Sequence, residues 1–170
     1  MRNGRCVRVA VTLDVSELSV DSVMAEAADG RKVVRISGIA FHEGVNKNGW
    51  EITRKGAELA ISQMVGADLT LNHPKSENGR FRRNMDGGVD EAVVGVVTEA
   101  TINDKGEGLW DVGFKADVYR HELFEALESG LWLRSGYGVS IGGTGVPDKV
   151  MEAEDGRVVM TFETDFSFDH

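Results

Sequence analysis

The chain has 170 residues, a length that fits one domain able to bury a core without disulfides or metal staples. Its 41% apolar content excludes wholesale disorder, and its one cysteine, Cys6, cannot close an internal disulfide. A formal net charge of −9 repels phosphate backbones, so nonspecific nucleic-acid binding is excluded as well. No run approaches the roughly 20 apolar residues of a membrane helix. The basic start, Met1-Arg2-Asn3-Gly4-Arg5, is not followed by the apolar stretch of a secretory signal. The expectation is a soluble protein made and kept in a cytoplasm, with no membrane or nucleic-acid partner.

In chain order, Val7-Arg8-Val9-Ala10-Val11-Thr12-Leu13 alternates apolar and polar residues and predicts a half-buried strand. Residues 32–40 predict a second. The acidic stretch between them, residues 16–30, reads equally as a loop or a frayed helix. Thr53 is placed to cap a helix running to about Val65, with Ala57, Ala60, Ile61, Met64 and Val65 on one apolar face. Residues 67–71 predict a strand that delivers His73. A Gly/Asn-rich loop follows, carrying the basic cluster Arg80-Phe81-Arg82-Arg83, either a solvated tip or a docking point for an acidic protein. Residues 92–102 and 109–116 predict a hairpin across Asn103-Asp104-Lys105-Gly106. A second helix fits residues 119–128, with Leu123, Phe124 and Leu127 inward and Ser129-Gly130 as its stop. Two more strands are expected over residues 136–143 and, after the Asp155-Gly156 turn, over residues 157–170. With 21 glycines and 2 prolines, the chain suits short strands and tight turns. Strands and two helices in no alternating order predict an α+β, mainly β class, or a small β-barrel decorated by helices. Residues 1–170 read as a single domain, with residues 1–30 as an N-terminal extension.

Three segments carry residues suited to nucleophilic acyl transfer. His73, in Leu71-Asn72-His73-Pro74, ends a strand before a proline that holds the backbone extended. A neutral imidazole is a natural acceptor for a hydroxyl proton. Ser140 stands in Gly138-Val139-Ser140-Ile141-Gly142-Gly143, where glycines leave room for a substrate and free N–H groups. Gly142 and Gly143 are the candidate oxyanion donors. Ser135 is a rival nucleophile five residues earlier. The terminal segment Asp165-Phe166-Ser167-Phe168-Asp169-His170 offers the third group. By the period of two, Phe166, Phe168 and His170 share a face, and Asp165 and Asp169 share the other. If the phenylalanines face the core, His170 can orient His73; if the other face is buried, a carboxylate does. His42 and His121 read as bystanders. A metal hydrolase built on His73, His121 and His170 is a rival, but the spacing of a zinc site is missing, so no metal and no cofactor are expected.

Taken together, these segments resemble the prohead (capsid maturation) proteases of tailed bacteriophages, relatives of the herpesvirus assemblin proteases. Ile36-Ser37-Gly38-Ile39-Ala40-Phe41 is similar to the family's first strand, Leu71-Asn72-His73-Pro74 to the segment of the catalytic histidine, and Val93-Val94-Gly95-Val96-Val97 with Gly108-Leu109-Trp110 to its following hairpin. Val139-Ser140-Ile141-Gly142 looks like the nucleophile strand. Ser140 lies about 67 positions after His73, and His170 about 30 after Ser140, which suits the assemblin order of serine, histidine and histidine.

The resemblance implies a small β-barrel surrounded by helices, and a serine peptidase with Ser140, His73 and His170 as its triad. In phage branches the third member is often acidic, which keeps Asp169 and Asp165 as alternatives. The implied substrates are capsid and scaffold precursor proteins and the chain itself, cut inside an assembling prohead in the host cytoplasm. The dimer-linked activation of the herpesvirus branch implies a homo-oligomer. Relatives continue past the position of His170 into another strand, so the C-terminal part of the family domain is expected to be missing. The reading from another class is a noncatalytic capsid-assembly or scaffold module with the same barrel.

Overall fold

The computed structural model describes residues 9–14, 16–70, 93–129 and 140–168. The first half contains β1 (Val9–Asp14), β2 (Ser16–Glu26), β3 (Lys32–His42), β4 (Trp50–Ile52), α1 (Arg54–Met64) and β5 (Asp68–Thr70). The second contains β6 (Val93–Gly106), β7 (Leu109–Val118), a 3₁₀ turn (His121–Leu123) leading into α2 (Phe124–Glu128), β8 (Ser140–Val146), β9 (Lys149–Glu152), β10 (Val158–Phe162) and β11 (Asp165–Phe168). The basic cluster Arg80-Phe81-Arg82-Arg83 lies outside the described residues, as does the start of the strand expected over residues 136–143.

The strands form three sheets, ordered β2-β3-β7-β6-β5, β1-β8-β11 and β4-β10-β9. All pairings are antiparallel except β4 with β10. The mainly β class holds. The closed barrel does not appear among the described residues: the three ladders are open, and the sheets meet through side chains rather than backbone pairing. An aromatic chain makes that junction. Phe162 of β10, with no exposed surface, lies 6.0 Å from Trp50 and 5.7 Å from Phe166 of β11 (ring centroids). Phe166 meets Phe168 at 4.6 Å, and Phe168 stacks on Phe41 of β3 at 6.3 Å.

Local chemistry explains both the agreements and the departures. Thr53 caps α1 as expected, its hydroxyl accepting from the Gly56 N–H at 3.1 Å. Ala57, Ala60 and Met64 are buried, but Val65 follows the helix end and is 50% exposed, so the apolar face stops one residue short. The expected second helix is shorter, a 3₁₀ turn followed by five α-helical residues, with Phe124 and Leu127 buried. Residues 16–26 are strand, neither loop nor helix. The β2–β3 register shifts three times, and each bulge breaks the period of two that would have announced a strand.

The β6–β7 hairpin turns at Glu107-Gly108, with φ of 53° and 81°, rather than across residues 103–106. Asn103 pairs with Asp111 in the ladder, and Lys105 sits at the register shift before Gly106. The Asn103 amide donates to the buried Asp111 carboxylate at 2.7 Å, and the Lys105 ammonium lies 2.9 Å from it. Burial works against ionised Asp111, but these two partners outweigh it and hold its carboxyl below the usual aspartate range. On the same sheet Asp117, also buried, takes a two-pronged ion pair from its cross-strand partner Arg35, at 2.7 and 3.1 Å.

The strand expected over residues 157–170 is two strands in different sheets. Glu163-Thr164 breaks it, and the Asp148 carboxylate accounts for the corner. It accepts from the backbone N–H groups of Glu163 at 2.6 Å and Thr164 at 2.9 Å, and from the Thr164 hydroxyl. The short strands β4 and β9 went unforeseen because three or four residues show no usable periodicity.

Candidate active site

Ser140 is the first residue of β8, the middle strand of the sheet β1-β8-β11, with its Cα opposite Asp14 of β1. The glycines after it lie within the paired ladder. Gly142 faces Thr12; Gly143 has a partner on each side, Val11 of β1 and Phe168 of β11. Gly145 has a packing reason as well: a Cβ there would lie 2.6 Å from the Asp165 carbonyl oxygen and 3.0 Å from the Phe162 ring. Gly145 therefore serves the close approach of β11 and the aromatic junction.

β11 runs antiparallel to β8 toward its Ser140 end, from Asp165 opposite Val146 to Phe168 opposite Gly143. Its apolar face is the inward one, since Phe166 is buried and Phe168 half-buried, whereas Asp165 is exposed. The outer edge of β11 is held by α1. The Gln63 side chain donates to the Phe166 carbonyl at 3.0 Å and accepts from the Phe168 N–H at 3.3 Å, standing in for a neighbouring strand. β5, the edge of the five-stranded sheet, ends at Thr70, three positions before His73. His73, Ser135, Asp169 and His170 lie outside the described residues. The strands that lead to His73 and His170 are described, as is the backbone of Ser140.

Sequence reasoning missed the two residues that position β11, Gln63 and Asp148. Each acts across more than a dozen residues of chain, and neither belongs to a motif. The Thr164 hydroxyl and the backbone N–H groups of Thr164 and Glu163, bonded to the Asp148 carboxylate, hold its carboxyl below the ordinary aspartate value of 3.8 against the opposing effect of desolvation. A lowered folded-state value means that stability is gained above the unfolded value and lost as pH falls through the folded one. Asp148→Asn is therefore expected to be less stable than the parent at neutral pH, with the gap closing as pH falls below 3.8. Thermal melts from pH 7 to pH 2 check this; a gap independent of pH would assign the loss to geometry rather than charge.

The two described histidines are engaged elsewhere. His42, exposed, places Nδ1 2.8 Å from the Glu43 carbonyl oxygen, and His121 stacks on Phe124 at 4.7 Å. Among the described residues no three His, Cys, Asp or Glu side chains converge to hold a metal ion. No described helix is long and apolar enough to cross a membrane.

Three sheets, two of them small, joined by aromatic side chains and flanked by two short helices, make a mostly β fold that is shared with a viral protease. The solved structure in question is that of the bacteriophage T4 capsid assembly protease, gp21, which matches with a TM-score of 0.53 over 95% of this chain and 92% of that one. Identity across the match is 17%, so the likeness is one of fold. No family model matches the sequence, and no curated relative matches it.

Proposed function

We propose that this chain is a serine endopeptidase that cuts capsid and scaffold precursor proteins, and itself, inside an assembling phage prohead in the host cytoplasm. The observation that carries the reading is the fold shared over almost the whole chain with a capsid assembly protease. The order of motifs adds to it, with Ser140 heading the middle strand of a sheet whose last strand leads into Asp169-His170. The reading includes kinship with the herpesvirus assemblins.

In this mechanism the His73 imidazole takes the Ser140 proton as Oγ bonds to the scissile carbonyl carbon, and the carbonyl electron pair moves onto oxygen. Collapse breaks the C–N bond while His73 returns the proton to the leaving amine. Water then releases the acyl group by the same path. His170 orients His73, with Asp169 and Asp165 as the carboxylate alternatives. Of the two oxyanion candidates, Gly142 is preferred, since Gly143 is flanked by a strand on each side. Such a donor contributes about 2.7–4 kcal/mol to acyl-transfer transition states.

A fluorophosphonate probe tests the assignment. Covalent labelling mapped to Ser140 by peptide mass spectrometry is the expected result. Labelling at Ser135 would move the nucleophile. A folded chain that takes no label under assembly conditions is a noncatalytic capsid-assembly module instead.

A further inference from the structure

The last turn of α1 is tied to both segments that lead to the histidines of the proposed triad. His73 follows Gln63 by ten positions, and residues 66–69 of that interval are fixed to β6. The Gly66 N–H donates to the Val97 carbonyl at 2.8 Å, the Val97 N–H donates to the Ala67 carbonyl at 3.0 Å, and Leu69 pairs with Gly95. Across space, the Gln63 carboxamide donates to the Phe166 carbonyl at 3.0 Å and accepts from the Phe168 N–H at 3.3 Å. Phe168 stands two positions before His170.

The pattern of these two bonds sets Gln63 apart from an ordinary surface contact. Its neighbour Met64 is 3% exposed, so the backbone that carries Gln63 is anchored in the core. Gln63 itself lies on the surface and adds little apolar burial. A primary amide carries a donor and an acceptor, as a peptide group does. Set on residues 166 and 168, it reproduces the bonding of one residue in a parallel neighbouring strand. Two bonds on alternate residues fix both the slide of β11 along its axis and its rotation about that axis; a single bond would leave the rotation free. With Phe166 buried and Phe168 half-buried, residue 170 belongs by the period of two to the same inward face.

We infer that Gln63 is a positioning residue of the peptidase, holding β11 so that His170 meets His73 in the orientation that lets His73 take the Ser140 proton. The inference rests on the serine-peptidase reading above. Gln63 acts through the backbone of β11 and takes no part in the bond changes. Proton transfer demands hydrogen-bond reach between its groups, and a displacement of about 1 Å can cost about 100-fold in rate.

A fluorophosphonate at varied concentration tests this without an identified substrate. Ser140 Oγ bonds to phosphorus, fluoride leaves with the P–F bonding pair, and His73 takes the proton. The half-saturating concentration reports access to the site, and the limiting rate reports activation of Ser140. Gln63→Met keeps the length of the side chain and deletes both hydrogen bonds. Its limiting rate is expected to fall about 10- to 100-fold, with half-saturation unchanged within about twofold. Gln63→Ala is expected to behave alike. Ser62→Ala, which removes only a hydrogen bond to the Leu59 carbonyl, is expected to match the parent. Hydrogen exchange at the Phe168 amide is expected to quicken in both Gln63 variants, while melting moves by no more than a few degrees.

An unchanged limiting rate in a variant that has lost Phe168 protection overturns the inference. So does a change confined to half-saturation, which would make Gln63 a binding contact, or a loss of rate matched by loss of folded protein, which would make it structural. A parent that takes no label at Ser140 sinks the peptidase reading and this inference with it. A labelled parent with equal rates in the Gln63 variants sinks the inference alone.

Discussion

Ser140→Ala is expected to lower the rate of precursor cleavage by about 10⁴–10⁶-fold, the range in which removal of an acyl-transfer nucleophile falls. Without Oγ there is no acyl intermediate, and His73 has no proton to remove; only direct attack by water on a bound peptide remains. Ser140 opens β8 and contributes its backbone to the pairing with Asp14, which alanine preserves. The melting temperature is therefore expected to stay within a few degrees, separating lost chemistry from lost fold. Cleavage of a labelled scaffold or capsid precursor by parent and variant provides the measurement. Undiminished cleavage by Ser140→Ala eliminates this nucleophile, and Ser135→Ala then becomes the decisive variant.

Phe162→Ala is expected to give the largest loss of stability, about 3–5 kcal/mol, because a fully buried aromatic leaves a cavity its neighbours cannot close. The ring touches Trp50 of its own sheet and Phe166 and Gly145 of the sheet that contains Ser140. The carbonyl of Phe162 also accepts from the Thr53 N–H at the start of α1, at 3.1 Å. For a chain of this size the loss corresponds to roughly 10–15 °C in melting temperature. Differential scanning calorimetry of parent and variant measures it. A shift below about 3 °C would show that the aromatic junction is dispensable. Phe162→Leu, which keeps most of the volume, is expected to recover much of the loss.

The elements legible in the sequence were those whose signals are local. Thr53 and the apolar positions after it announced α1, and residues 92–102 and 109–116, set about the turn-forming Asn103-Asp104-Lys105-Gly106, announced the β6–β7 hairpin. The same local logic misplaced the turn. Asn103, Asp104 and Gly106 are turn-forming residues, yet all three are paired in the ladder, and the side chains of Asn103 and Lys105 both reach buried Asp111 on the opposing strand. β2 was hidden because its bulges cancel the alternation. The break at Glu163-Thr164 was hidden because Asp148, which stabilises it, lies fifteen and sixteen positions away.

The candidate site divides in the same way. The resemblance of Val139-Ser140-Ile141-Gly142 to a nucleophile strand was readable from the sequence. That Gln63 and Asp148 fix the strand leading to His170 was not, since a glutamine on a helix and an aspartate beside a short strand carry no sign of the distant backbone they will bind.

The two strands that flank β8 come from opposite ends of the described chain, β1 from residues 9–14 and β11 from residues 165–168. On a ribosome the β2–β3 and β6–β7 pairings are available early, while the strand headed by Ser140 waits for its last neighbour until residues 165–168 have been made. Removal of residues 9–14 strips away one side of the sheet that Ser140 belongs to, although these residues lie 126 or more positions before it in the chain.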